Sequence, residues 1–152
     1  MGLSLEFYIG DTNAIISALE DCDYDRLDEP GVVNRRADLS LHLIPDDLNL
    51  LSLCIGAVSG HKPLSLRPHL SIIVDEADYG VLEVSQEWTA YAASVPNDRI
   101  TELATAWAQA MSRQHGEEIQ ANSDLQNAVR ELVALCVIAH RDSDRVLHAW
   151  NA

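Results

Sequence analysis

The chain has 152 residues, with 24 Asp plus Glu against 10 Lys plus Arg and a formal net charge of −14. Hydrophobic residues at 47% and charged residues at 22% are the proportions of a globular domain, not of a disordered chain. The sign of the charge argues against nucleic-acid and anionic-membrane surfaces, which need clustered Lys and Arg, and the length fits a single domain over 1–152.

Met1-Gly2-Leu3-Ser4-Leu5-Glu6 has no basic n-region and is read as neither a secretory signal nor, with Glu6 where Ser or Thr is required, a myristoylation site. Leu3, Leu5, Phe7 and Ile9 alternate with Ser4, Glu6 and Tyr8, which predicts a half-buried first strand. Asp11 or Thr12 then caps a helix over 13–20, with Ile15, Ile16 and Leu19 as its apolar stripe. From Asp21 to Arg36 the chain turns polar and acidic, with a Pro30-Gly31 turn, and is expected to be a loop.

Leu39, Leu41 and Leu43 alternate with Asp38, Ser40 and His42 and predict a second strand. Pro45-Asp46-Asp47 opens a helix to about Val58, its carboxylates suited to the positive end of the helix dipole. The uncharged run Leu48–His61 is too short to span a bilayer. Stretches 70–74 and 81–84 predict a hairpin, and the remainder reads as helical. One helix carries Trp88, Tyr91, Ala92 and Val95. A second, capped by Asn97 or Asp98, carries Ile100, Leu103, Trp107 and Met111. A third opens on the capping-box pattern Ser123-Asp124-Leu125-Gln126, and a last short helix packs Val146, Leu147 and Trp150.

These elements predict an α+β fold: a small mixed or antiparallel sheet of about four strands in the N-terminal half, packed against helices that dominate the C-terminal half. The three cysteines Cys22, Cys54 and Cys136 contain no C-x-x-C pair and read as reduced thiols of a cytoplasmic protein.

Chemical motifs fail at required positions. Asp21-Cys22-Asp23-Tyr24-Asp25 has the opening spacing of a calcium loop, but Arg26 and Val32 stand where Gly and a bidentate Glu are needed. Cys54, His61 and His69 match no compact zinc pattern, Ser59 lies at a helix stop, and no phosphate-cradling glycine loop occurs. No catalytic residue, metal ligand or cofactor is therefore assigned.

Two candidate sites remain. The first is the acidic stretch holding Glu20, Asp21, Asp23, Asp25, Asp28 and Glu29 around Tyr24, suited to steering a basic partner onto an aromatic anchor. The second depends on parallel pairing of the second and third strands. That arrangement would gather Asp11, Asp46, Asp47, Asp75 and Glu76 at one pole as a cation or acid/base site. Arg35, Arg36, Lys62, Arg67 and His69 would form a basic pole opposite, and His42 would be an added acid/base candidate. The leading expectation is a non-catalytic acidic interaction domain, an inhibitor or immunity-type protein for a cationic partner. A homo-oligomer is a second version, with any exposed tryptophan among Trp88, Trp107 and Trp150 as its contact. The alternative is a small enzyme or metal-binding domain using Asp and His at strand ends.

Overall fold

The alternation read at the N-terminus forms β1 (Ser4–Gly10), which buries Leu5, Phe7 and Ile9 on one side and Tyr8 on the other. The computed structural model describes residues 3–152, so the reading of Met1-Gly2 lies outside them. Asp11 caps α1 (Thr12–Glu20), its Oδ1 accepting from the Ala14 N–H at 3.0 Å. A 3-10 turn over Tyr24–Asp28 follows, then β2 (Val33–Asp38), α2 (Pro45–Ser59), β3 (Leu70–Asp75) and β4 (Tyr79–Val84). The chain ends with α3 (Gln86–Ala93), α4 (Ile100–His115), α5 (Ser123–Asp142) and β5 (Val146–Asn151). The caps differ slightly from expectation. Asn122, not Ser123, accepts the Leu125 N–H, while Asn97–Arg99 forms a 3-10 turn before α4.

The fold is α+β, with one five-stranded sheet in the order β2-β1-β5-β4-β3 and every neighbouring pair antiparallel. It corrects the sequence reading in two places. The expected last helix is β5, a strand between β1 and β4, so the sheet is not confined to the N-terminal half. The Val146–Asn151 strand is buried on both faces from Val146 to Ala149, which erases the alternation that identifies a half-buried strand. The second strand is Val33–Asp38, and Leu39–Leu43 is an irregular segment that drops Leu39 and Leu43 into the core. An edge strand needs little apolar surface, and here only Ala37 is buried.

One face of the sheet carries the main core. Leu5, Phe7 and Ile9 meet Trp88, Trp107, Met111, Leu132 and Cys136 from the helical layer. Trp88 donates its indole N–H to Ser52 Oγ at 2.8 Å and Trp107 to the Asp47 carbonyl at 2.8 Å, so these two buried rings are satisfied and form no association surface. Trp150 is half-buried against the same core, over Gly80, where a Cβ would collide with its indole. The other face is partly covered: Ile15, Ala18 and Leu19 of α1, with Leu27 of the 3-10 turn, pack over Tyr8, Val81, Leu147 and Ala149. The acidic stretch is therefore anchored from beneath by Leu27.

His148 of β5 lies inside the main core, its ring stacked on Phe7 at a centroid distance of 4.5 Å. Its Nδ1 stands 3.0 Å from the Glu6 carbonyl, an acceptor, so Nδ1 carries the proton. Burial holds the imidazole neutral and pulls its pKa down to about 4.

Candidate functional site

The parallel arrangement does not form. β2 and β3 run in the same direction but lie at opposite edges, with three strands and roughly 19 Å between them, so the two expected poles cannot assemble. Asp11 is spent on the α1 cap. Asp46 pairs with Arg67 at 2.6 Å on the surface, and Asp75 and Glu76 lie exposed at the far end of β3. Arg35 and Arg36 stay on the β2 edge, where Arg36 Nη2 binds Glu6 Oε1 at 2.6 Å. Burial still pushes the Glu6 carboxyl above the usual range, with Arg36 opposing.

Two members of that set do come together. Ahead of α2 the chain passes His42, whose φ of 60° is the left-handed conformation seldom adopted by a side-chain-bearing residue. Three residues into α2 stands Asp47, 2% exposed. Its Oδ2 accepts the Ile44 N–H at 2.9 Å, satisfying a donor the helix start would otherwise orphan. Its Oδ1 lies 2.6 Å from His115 Nε2, at the last turn of α4. Gly116, with φ of 69°, ends that helix immediately afterwards. With the carboxylate as acceptor, Nε2–H is the donor and Nδ1 is left as the nitrogen able to take up a proton.

Asp47, His115 and His42 line a cleft of about 370 Å³ with Glu117 and Asp124, against an apolar wall that includes Met111 and Leu125. Sequence reasoning missed His115, Glu117 and Asp124. Local spacing marks His115 only as a residue in the last turn of a helix, because nothing local relates it to Asp47, 68 positions away. Among the described residues no group of three or more His, Cys, Asp or Glu side chains could hold a metal ion. No helix there is long and apolar enough to cross a membrane.

The acidic stretch is ordered. Arg26 reaches Asp21 Oδ2 at 2.5 Å and the Ser17 carbonyl at 3.1 Å, and its Nε lies 3.1 Å from Asp23 Oδ2. That one guanidinium neutralises the first part of the stretch. Glu20, Asp25, Asp28 and Glu29 are exposed with no cation in ion-pair range among the described residues. Tyr24 is 46% exposed, and its hydroxyl accepts from the Asn151 amide at the end of β5.

The β3–β4 turn adds to this surface. The Tyr79 phenol is pushed above its ordinary value by desolvation and then by Glu76, Glu20, the Cys22 thiol and Asp78. The Tyr24 phenol is raised likewise by desolvation, Cys22, Glu6 and Asp78, against the Asn151 hydrogen bond. Asn151 donates to Tyr24 and pairs with Tyr79 across the β5–β4 ladder, and the Ala152 N–H donates to the Asp78 carbonyl at 2.8 Å, so Asp78 and the two tyrosines share one end of the sheet, where Glu20 acts on the Tyr79 phenol.

No family model, curated protein or solved structure matches the chain. The candidate sites rest on their own geometry.

Proposed function

We propose that this chain is a non-catalytic, acidic protein-interaction domain of the inhibitor or immunity type, working in the cytoplasm on a partner with a basic surface. The observation that carries this reading is the acidic pole. Glu20, Glu76 and Asp78 gather near Tyr24 and Tyr79, the exposed Asp25, Asp28 and Glu29 follow Tyr24 along its 3-10 turn, and Arg26 is already engaged by Asp21 and Asp23. Carboxylates gathered at one end of a molecule of net charge −14 raise the encounter rate with a cationic surface, and half-exposed tyrosines supply rigid contact area once encounter has occurred. The ion pairs of Arg26 and the packing of Leu27 hold this surface in shape before binding, which lowers the ordering penalty. The test is affinity capture at low and high salt with the parent chain and with the Asp25→Asn, Asp28→Asn, Glu29→Gln triple variant. A basic partner retained at low salt, released at high salt and lost by the variant supports the reading. A partner held equally by the variant refutes it.

A second reading has its own observation, the 2.6 Å contact between Asp47 and His115 beside the cleft. A carboxylate that fixes the tautomer of an imidazole makes the other ring nitrogen a general base for an activated water. This would make the chain a small acid/base enzyme acting on a compact substrate with apolar and cationic parts, to suit Met111, Leu125, Glu117 and Asp124. Turnover of a hydrolase substrate panel by the parent chain, abolished in His115→Gln, is its test.

A further inference from the structure

The sheet and the acidic pole meet around a small cavity. The register sets Ser4, Asn151 and Tyr79 in one row across β1, β5 and β4, and Glu6, Ala149 and Val81 in the next. Alternation puts both rows on the face that carries Tyr8, and the Asn151 amide holds Tyr24 beside them. Ala149 is the smallest side chain of the two rows. A gap of about 20 Å³ lies beside it, lined also by Glu6, Tyr8, Tyr24 and Tyr79. Tyr24 is the one exposed residue of that lining, so the way in passes its ring.

Tyr8 gives the gap its chemistry. Its side chain is fully buried, yet its hydroxyl has no hydrogen-bond partner among the described residues. A buried hydroxyl left unpaired is destabilising, and a ligand that meets it recovers that loss. Glu6 lies beside it with one oxygen, Oε1, taken by Arg36. The Arg36 guanidinium stands over the Tyr8 ring, 5.5 Å from its centroid, so this ring already faces one cation. Every charge that pushes the Tyr24 and Tyr79 phenols upward is acidic: Glu6, Glu20, Glu76, Asp78 and the Cys22 thiol. The entrance is therefore held at negative potential, which disfavours an anionic ligand.

We infer that this gap receives the ε-ammonium of a single lysine presented by the basic partner. The inference rests on the acidic pole as the docking surface and adds the residue that the surface selects. A gap with room for about one water has room for an ammonium head, whereas a planar guanidinium or a trimethylammonium is too large. The three N–H donors of the ammonium are matched by acceptors in the lining, the Tyr8 hydroxyl and the Glu6 carboxylate first among them. The alkyl stem then lies along Tyr24 and Tyr79, whose rings suit a chain that ends in a cation.

The test is an amide chemical-shift titration of the full chain by NMR. The probes are N-acetyl-lysine methylamide, its arginine and Nε-trimethyl-lysine counterparts, and ammonium chloride, all at matched ionic strength. The lysine compound is expected to shift the Tyr8, Ala149 and Asn151 amides, binding at least about tenfold more tightly than the arginine and trimethyl-lysine compounds. Tyr8→Phe deletes the unpaired hydroxyl, so urea unfolding should be unchanged or shifted to a higher midpoint while lysine binding weakens about tenfold. Ala149→Val fills the gap and should abolish binding with circular dichroism unchanged. The proposal is overturned by the absence of a saturable shift up to about 50 mM lysine compound, or by a Tyr8→Phe variant that binds like the parent. Equal binding of the arginine compound, or equal shifts from ammonium chloride, would overturn it too. The two readings fail separately. A basic partner bound equally by the parent and by Tyr8→Phe removes the lysine gap and keeps the acidic pole, whereas lysine binding without any basic partner keeps the gap and removes the pole.

Discussion

Asp47 and His115 join the first turn of α2 to the last turn of α4 through a 2.6 Å contact between Oδ1 and Nε2. A carboxylate near a helix N-terminus and an imidazole near a helix C-terminus are each favoured by the dipole of their own helix. Replacing Asp47 by Ala removes the partner of His115 and of the Ile44 N–H together. The expected loss is about 2–3 kcal/mol in urea unfolding, because a cap and a buried charge-assisted bond go at once. Asp47→Asn can still accept from Ile44 N–H and should lose less. An Asp47→Ala variant as stable as the parent would show the contact to be energetically idle.

His148 makes the stability depend on pH. Its folded pKa, about 4, lies below the unfolded value of 6.5, so between these the unfolded chain binds more protons than the folded one. Stability therefore falls as pH drops from 6.5 toward 4, by at most about 1.4 kcal/mol per pH unit from this group. Glu6, with its carboxyl pKa raised by burial, acts in the opposite sense near its own titration and blunts the lower end. His148→Asn, whose amide can still donate to the Glu6 carbonyl, should flatten the slope between pH 6.5 and 4.5. Chemical denaturation at a series of pH values reads this directly, and an unchanged slope in the variant would count against His148.

What was legible in the sequence follows from where each element sits. The helices Pro45–Ser59, Ile100–His115 and Ser123–Asp142 each present one face to the core, and the strand Ser4–Gly10, although it buries Tyr8 on its second side, keeps the polar Ser4 and Glu6 there, so the apolar spacing of all four matches their geometry. The Val146–Asn151 strand is flanked by strands and covered on both sides, and Val146, Leu147 and Trp150 also fit helical spacing. The Leu39–Leu43 alternation misled for the converse reason: its leucines reach the core from an irregular segment, while the true edge strand carries Arg35 and Arg36. Of the candidate residues, Asp47 and His42 share a cleft through tertiary packing, and the acidic stretch meets Asp78 only because β5 brings the sheet together.

Gly80 tests the placement of β5. A methyl group there would meet Trp150 Nε1 and the ring carbons beside it, and the indole is confined between the core and β4. Gly80→Ala is expected to destabilise the chain by about 1–3 kcal/mol and to shift the tryptophan emission, since the ring must move outward. Guanidinium unfolding followed by fluorescence measures both. A neutral Gly80→Ala would mean that Trp150 does not pack over this strand.

The acidic pole separates folding from association. Asp25, Asp28 and Glu29 are exposed and outside the Arg26 ion pairs, so neutralising all three should leave stability within about 0.5 kcal/mol of the parent. Their loss should still lower the association rate with a basic partner, because steering depends on the summed potential and not on particular contacts. Tyr24→Ala should act differently: the charge is unchanged, so the on-rate holds while dissociation quickens as the anchor goes. Stopped-flow association at several ionic strengths distinguishes the two. For the parent the rate should fall steeply with salt, and for the triple variant it should start lower and fall less. Parallel salt dependences would place the contact surface elsewhere on the molecule.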